Sequence, residues 1–490
     1  MADTIPPRPR LRLRPNEHRL LLLLGDLIAS ISAAFLAYYV WHQYSLYNLI
    51  AELVAQGVKP ERAEALARTI QVVNVPYWFY LLPLGWLLLM VELYEPHTAS
   101  NWRKTLRGIA IAAFVGIAAY ALVFIFNREP TSLPRIAVGA YIIIASFVTL
   151  GWRALYIRLY TSTGLQRRVL IVGAGKAGTT LAQVYRGLTP PPFTLVGFVD
   201  DDQKKLKKKY EGFPVLGVSR HLLNIVDQYR ISDVVVAITR EMQGSTFQTI
   251  LDAQERGVEV TRMPTLYEEI TQRVPIHHLE SDWLIRSFVD QLRVSLFYEL
   301  MKRLIDFIGG LAGLGIFAVV FPFAALATLI DSGWPIFYSQ DRLGKGGQVF
   351  KIYKFRTMRQ NAEADGEAKL AAENDPRVTR VGNFLRRTRL DELPQFLNVV
   401  RGEMSLVGPR AERPSLVAEF QKQIPFYRAR LLVKPGLTGW AQINYGYVAS
   451  VTETSVKLEY DLYYIKHRSL TMDFTIALRT IGTVLSRKGR

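Results

Sequence analysis

The chain contains no cysteine, and it is short of acidic residues. Without cysteine there is no disulfide, no thiolate metal site and no cysteine nucleophile. Asp and Glu number 42 against 60 Lys and Arg, a formal charge of +18. No small-residue cleavage site follows the first apolar run, so the Arg- and Pro-rich start up to Pro15 reads as a retained tail rather than a signal peptide. What is abundant is apolar sequence: half of the 490 residues are hydrophobic. That length allows two or three domains, and that hydrophobicity points to membrane insertion. Beside long apolar runs, the basic excess suits an anionic membrane face and phosphate ligands rather than nucleic acid.

Four apolar segments fill the first third, at about Arg19–Trp41, Tyr77–Tyr94, Gly108–Phe126 and Ile136–Trp152. Each approaches the length a helix needs to cross a hydrocarbon core of roughly 30 Å. Arg8, Arg10, Arg12, Arg14 and Arg19 precede the first. Arg103, Lys104 and Arg107 separate the second from the third, and Arg153, Arg158, Arg167 and Arg168 follow the fourth. The remaining connections carry compensating acids. The positive-inside rule then predicts four spans with both ends cytoplasmic, and Ala51–Ile70 reads as an outer amphipathic helix.

An α/β unit follows. The strand pattern Val169–Val172 runs into Gly173-Ala-Gly175-Lys-Ala-Gly178 and a helix; a second strand, Thr194–Val199, ends in Asp200. Strand patterns recur at Val234–Ile238 and Val258–Met263, as in a doubly wound parallel sheet. Gly173, Gly175 and Gly178 would let a pyrophosphate reach the helix N-terminus, with Asp200 accepting a ribose hydroxyl of NAD or another nucleotide. A Rossmann-like scaffold without ligand is the other reading.

From Tyr298 the composition changes. Lys302, Arg303 and Asp306 head an apolar helix reaching Ile330 and interrupted by Pro322. Its far side is also basic, so the charge rule predicts that it enters and leaves on the cytoplasmic face, with Pro322 as the break. A kinked spanning helix is the alternative. Asp306, a charge entering an apolar helix, needs a partner, and Arg303 or Lys302 is the expected one. Ile336–Gln340 and Val349–Phe355 read as a hairpin closed by Gly344-Lys-Gly-Gly347, with Lys354 and Arg356 on one face where they could meet phosphate, or on a solvated edge. Then comes RRTRLDELPQ, Arg386–Gln395. The adjacent acids Asp391 and Glu392, after Arg386, Arg387 and Arg389, suit chemistry on a phosphate; an exposed, charged helix start is the plainer reading. Pro394 and Gly402 bracket a short helix.

KFRTM, LRRTRLDELPQ, MSLVGPR and KPGLTGWAQIN follow in this order after a KR…D-headed apolar helix. From Tyr298 to the C-terminus the chain resembles the bacterial sugar transferase family, the monotopic polyprenyl-phosphate hexose-1-phosphate transferases. Its preceding helices and Rossmann-like unit, with Asn444-Tyr-Gly-Tyr447 and Tyr460-Asp461-Leu-Tyr463-Tyr464-Ile465, resemble the large exopolysaccharide-initiating branch. One departure is Ala411, where many members have Pro after GPR.

The resemblance implies the following. Asp391 attacks the sugar-bearing phosphate of a UDP-sugar, UDP-glucose or UDP-galactose, and the phosphosugar passes to undecaprenyl phosphate. Glu392 binds Mg²⁺ or deprotonates the lipid phosphate, with Asp391 as the other metal candidate. Arg386 is the phosphate ligand; Arg410 and Lys434 are further candidates. An acid approaching a diphosphate needs such cations, because two like charges about 5 Å apart repel by roughly 3 kcal/mol at an effective dielectric near 20. The enzyme would face the cytoplasm from a multi-pass position in the bacterial inner membrane, serve downstream glycosyltransferases and form a homodimer. The expected fold is a four-helix transmembrane bundle (1–160), a Rossmann-like parallel α/β domain (161–280), a linker (281–297) and an α+β catalytic domain with a re-entrant helix at about 302–330 (298–490). The rival readings are an NAD-dependent nucleotide-sugar oxidoreductase, whose Tyr-xxx-Lys pair is matched only by Tyr298 and Lys302, and a nucleotide-sensing membrane scaffold.

Overall fold

The structure, a computed structural model, describes residues 15–69, 75–94, 99, 101–126, 135–160, 167–189, 191–239, 242–278, 295–359, 377–446 and 450–485. Arg8, Arg10, Arg12, Arg14 and Tyr447 lie outside the described residues. The chain divides into two compact units, Met1–Val169 with Tyr185–Leu195, and Leu170–Val184 with Val196–Arg490.

The first unit is helical. Pro15–Ala55, Trp102–Phe126 and Arg135–Tyr160 are each long and apolar enough to cross a membrane. The expected second span, Tyr77–Tyr94, is not one continuous α-helix. Tyr77–Leu81 is 3₁₀, Leu82–Leu89 is a short α-helix with Pro83 in its first turn, and Val91–Tyr94 is 3₁₀ again. The apolar stretch Tyr77–Leu89 is shorter than the three long helices of this unit. The expected Ala51–Ile70 helix is two pieces: the first helix ends at Ala55, Gly57 turns the chain at φ 90°, and Pro60–Thr69 follows. Gly25 lets the first helix approach the last, since a Cβ there would lie 2.1 Å from Trp152. Arg153, counted in the sequence among the flanking charges, is instead fully buried and donates to Asp26 at 2.5 Å and to the Leu93 carbonyl at 2.7 Å.

The chain continues with a six-stranded sheet: β1 Arg168–Val172, β2 Thr194–Val199, β3 Lys209–Tyr210, β4 Phe213–Gly217, β5 Asp233–Val236 and β6 Glu259–Arg262. Its order is β3-β4-β2-β1-β5-β6; β2 with β4 and β5 with β6 are parallel, and the short β3 runs antiparallel to its neighbour β4. The apolar runs of the central strands fill the core, as burial on both faces requires: Leu170, Val172, Val199 and Val234 pack with Leu222, Ile225 and Val226 of a covering helix.

The remaining chain builds around the helix Leu296–Ser332, the fourth long apolar one. The hairpin β7 Phe337–Leu343 and β8 Val349–Phe355 is antiparallel, with Tyr338 opposite Lys354. Phe317 and Phe321 of the helix pack against Phe337 and Phe355 of the hairpin. A parallel pair, β9 Ser405–Val407 and β10 Gly436–Thr438, joins the MSLVGPR and KPGLTG motifs side by side. Gly408 and Gly436 permit that approach: a Cβ on Gly436 would stand 2.1 Å from the Gly408 nitrogen. Helices Val451–His467 and Leu470–Leu485 close the domain.

Candidate active site

The acidic pair is presented by a change of helix type. Helix Arg380–Thr388 is capped by Thr379, whose hydroxyl accepts from the Gly382 N–H at 3.0 Å. Gly382 is required there, because a Cβ would lie 2.1 Å from the Thr357 carbonyl oxygen. The helix stops at Arg389, in the left-handed region at φ 57°, and the chain re-enters as the 3₁₀ segment Leu390–Gln395 carrying Asp391 and Glu392. Pro394 sits inside that segment, and helix Phe396–Arg401 follows to Gly402 at φ 86°.

Three cations converge on Glu392. Lys354 of β8 donates to Oε1 at 2.7 Å, Arg410 donates to the same oxygen at 3.2 Å, and Arg389 reaches Oε2 at 3.4 Å. Burial alone would raise the Glu392 carboxyl, but Lys354, Arg410 and Arg389 outweigh it and hold it well below the ordinary range. Asp391 is also buried, yet no described residue hydrogen-bonds its carboxylate. Its pKa is raised, by burial first and by Glu392 next to it, against the opposing pull of Lys354, Arg386 and Arg410. The two neighbours are thus differentiated: Glu392 is ionised and committed, Asp391 is uncommitted and available.

Arg386 donates through Nε to Thr357 at 2.8 Å, which fixes its head while its charge acts on Asp391. Lys354, Arg386, Arg410, Asp391 and Glu392 therefore form one cluster. Arg356 is not part of it. Its guanidinium donates to the Ser332 and Gly333 carbonyls and caps the end of the long apolar helix. Lys434 is drawn elsewhere too: burial first, then Arg303, lowers its pKa among the cations at the helix head.

At that head, Lys302 donates to Asp473 at 2.9 Å and to the Val407 carbonyl at 3.1 Å. Arg303 donates to the Val399 and Val400 carbonyls at 2.9 and 2.7 Å, satisfying the C-terminal end of helix Phe396–Arg401. Asp306 accepts from the Ser405 hydroxyl and the Leu406 N–H, each at 2.9 Å. The hydrogen-bonding partner of Asp306 is thus β9 rather than Lys302 or Arg303, because a buried carboxylate is best met by fixed donors. Pro322 lies inside a helix that continues to Ser332.

In the parallel-sheet domain, Gly173 adopts φ 108°, and a Cβ on Gly178 would lie 2.0 Å from the Gly173 carbonyl oxygen; around Gly175 the space is open. Asp200 is engaged within the domain: it accepts from the Ala174 N–H at 2.7 Å, the Asp202 N–H at 2.9 Å and Lys205 at 2.8 Å. Tyr298 and Lys302 both donate to Asp473, at the head of the long helix.

The family model for bacterial sugar transferase matches residues 297–487, and that for a CoA-binding domain matches residues 90–264. The UDP-galactose-lipid carrier transferase of Erwinia amylovora is 32% identical over 66% of this chain and 69% of its own length. The chain belongs to the bacterial sugar transferase family. Two further relatives are the UDP-N-acetylgalactosamine-undecaprenyl-phosphate N-acetylgalactosaminephosphotransferase of Aeromonas hydrophila, 39% identical over 52% of this chain and 60% of the relative, and the UDP-glucose:undecaprenyl-phosphate glucose-1-phosphate transferase of Xanthomonas campestris pv. campestris, 31% identical over 57% and 58%. The matched stretches therefore span between 58% and 69% of those relatives' lengths.

Sequence reasoning missed a second charged cluster in this chain, beside Arg410. Arg430 donates to Asp461 at 2.8 Å, and Lys457 donates to Glu412 at 2.8 Å. Burial would raise Glu412, but Lys457, Arg430 and Arg410 outweigh it and bring it down to about 2. The only signal was a run of charges near known motifs, with no spacing to link positions this far apart in the chain.

Among the described residues no group of His, Cys, Asp or Glu is large enough to cage a metal ion alone. Mg²⁺ needs only one or two carboxylates when substrate phosphates complete its octahedron. Asp391, whose carboxylate accepts no hydrogen bond from a described residue, fits that limited donor set; Glu392 would have to share an oxygen with Lys354, Arg389 and Arg410.

Proposed function

We propose that this protein transfers a hexose 1-phosphate from a UDP-hexose, UDP-glucose or UDP-galactose, to undecaprenyl phosphate, releasing UMP and initiating exopolysaccharide assembly. The observation that carries the reading is the division of labour between the paired acids: Glu392 holds Lys354, Arg389 and Arg410, while Asp391 stays uncommitted. An Asp391 oxygen attacks the sugar-bearing phosphorus; the bond from that phosphorus to the bridging oxygen breaks, and UMP leaves with the electron pair. The aspartyl-phosphosugar is then attacked at the same phosphorus by an oxygen of undecaprenyl phosphate, which restores the Asp391 carboxylate and gives the diphosphate-linked sugar. Lys354, Arg386 and Arg410, gathered around the acidic pair, would meet the charge that develops on the phosphoryl oxygens. Mg²⁺, held by Asp391 and Glu392 together with substrate phosphates, would neutralise diphosphate charge.

A re-entrant course for Leu296–Ser332 at the cytoplasmic face is supported by contacts at both of its ends. Lys302, Arg303 and Asp306 engage β9 and its neighbours, while Asp331 near the other end accepts from the Val381 N–H at 3.1 Å and Arg356 caps Ser332. A spanning helix would carry those polar partners through the bilayer, where each unsatisfied group is costly. Apolar residues such as Leu304, Ile308, Leu311, Phe323 and Ile330 remain exposed along the helix for lipid. For the parallel-sheet domain a structural and regulatory part is favoured over an oxidoreductase: Asp200 is engaged, and the Tyr298 and Lys302 pair serves the helix head. The donor is left as a UDP-hexose class because relatives at similar identity carry three different sugar names.

The test is UMP release by purified protein with Mg²⁺ across UDP-sugars, with and without undecaprenyl phosphate. Lipid-dependent turnover with one sugar, lost in Asp391→Asn, is expected; full turnover in that variant would overturn the mechanism.

A further inference from the structure

Arg410 reaches Glu392 from the loop after β9, where the Pro409 ring fixes only one backbone angle. Its rigidity has another source. The carbonyls of four successive residues are each held by a donor. Gly436 N–H donates to Pro409 at 2.8 Å, Arg430 to Arg410 at 3.1 Å, Arg342 to Ala411 at 2.9 Å and Leu343 N–H to Glu412 at 3.1 Å. The Glu412 side chain is fixed as well, by Lys457 and by Arg430 at 3.5 Å.

Arg430 is the hub. It is 4% exposed, and its guanidinium simultaneously engages the Arg410 carbonyl, Asp461 at 2.8 Å and the Tyr427 hydroxyl at 2.8 Å. An arginine so buried and so fully partnered has a single geometry available, and a planar fork loses little further freedom in holding it. It touches neither Asp391 nor Glu392 in any contact described above. Its route to them runs through the backbone of Arg410, whose guanidinium lies 3.2 Å from Glu392.

We propose that Arg430, seconded by Arg342, is a positioning residue for phosphosugar transfer: it clamps the backbone of residues 410–412 so that the Arg410 guanidinium is held against Glu392 and the reacting phosphate. The inference rests on the phosphosugar-transfer reading and adds to it two residues that no motif contains. Because the clamp acts through Arg410, its contribution exists only while the Arg410 side chain is present.

The experiment is a double-mutant cycle on UMP release in the full chain with Mg²⁺, UDP-hexose and undecaprenyl phosphate, using Arg430→Lys, Arg410→Ala and the pair. Arg430→Lys is expected to lower kcat by about 10- to 100-fold, less than or similar to loss of a direct charge-stabilising donor, with KM for the UDP-hexose little changed. In the Arg410→Ala background the same change is expected to cost less than about twofold, the non-additivity of residues acting as one unit. Equal losses in both backgrounds would overturn the proposal, since a merely structural role would add. Arg342→Lys leaves the Arg430–Asp461 pair intact and supplies a second cycle with the same expectation should Arg430→Lys not fold. Wild-type protein that releases no UMP from any UDP-hexose would overturn the transfer reading itself; an active wild type with additive losses overturns only the clamp.

Discussion

Lys354 donates to Glu392 across 2.7 Å, yet Asp391, next in the chain, receives no hydrogen bond from any described residue. The pair is split by the 3₁₀ geometry of Leu390–Gln395, which turns Glu392 toward the hairpin and the Arg410 loop and leaves Asp391 buried beside them. A buried acid without a donor is held above its ordinary pKa, first by desolvation and then by Glu392.

This split predicts the pH dependence. Attack requires ionised Asp391, so kcat/KM should rise with pH along a limb lying above the ordinary aspartate value of about 3.9. Glu392, held low, should contribute nothing to that limb. Lys354 is the largest cation favouring ionised Asp391, so Lys354→Met should move the limb to higher pH as well as lowering the plateau by about 10- to 100-fold. A pH–rate profile of both proteins decides the matter; a limb that stays put in Lys354→Met would contradict the electrostatic account.

A second prediction concerns the buried pair Asp26–Arg153, both side chains at 0% exposure in the helical unit. Removing one partner leaves an uncompensated buried charge, which costs about 3–5 kcal/mol. Arg153→Met should therefore sharply lower the thermal unfolding midpoint in detergent, and Asp26→Leu added to it should recover much of the loss. Equal midpoints for wild type and Arg153→Met would show that the pair is inert.

The approach of the long apolar helix to the site elements gives a third. A Cβ on Gly313 would lie 2.3 Å from the Phe396 ring, at the start of the helix that follows Asp391 and Glu392. Gly313→Ala forces that ring aside and should cost about 1–3 kcal/mol, the usual range for overpacking. Phe396→Leu should recover part of it. Thermal midpoints of the two singles and the double separate this steric origin from a simple loss of helix propensity, which would be improved by alanine.

Much of this was legible in the sequence, for local reasons. β2 at Thr194–Val199 and β8 at Val349–Phe355 fall on the expected residues because period and turn signals are short-range. The Asp391–Glu392 pair stood out because motif spacing marks it. What escaped were partnerships settled by packing. Arg356 looked like a phosphate ligand from strand alternation, but the strand ends at Phe355, and the next residue turns to the open carbonyls of the long helix. Arg153 looked like a flanking charge until the helix containing it proved to run on to Tyr160. Asp306 pairs with β9, about a hundred residues along the chain, a distance no periodicity spans.

The last prediction arises where the segment after β6 packs on helix Val451–His467. Glu459 of that helix is buried, accepts from the Tyr267 hydroxyl at 3.2 Å and lies 3.6 Å from Arg273; Trp440 of the KPGLTGW motif donates nearby to the Gln272 carbonyl at 3.1 Å. Burial raises the Glu459 carboxyl from 4.5 to about 7, against the opposing effects of Arg273 and the Tyr267 hydrogen bond. The folded state therefore holds a proton that the unfolded chain releases near pH 4.5. The resulting stability is fully present below that pH and is lost as pH rises through about 7. By the usual conversion of pKa shift to free energy, the whole effect is at most about 3 kcal/mol. Thermal unfolding of the purified protein should thus show a midpoint higher near pH 5 than near pH 8, and Glu459→Gln, neutral at both, should flatten that difference. Parallel curves for wild type and variant would mean that Glu459 is ionised in the folded protein and that Arg273, not burial, sets its charge.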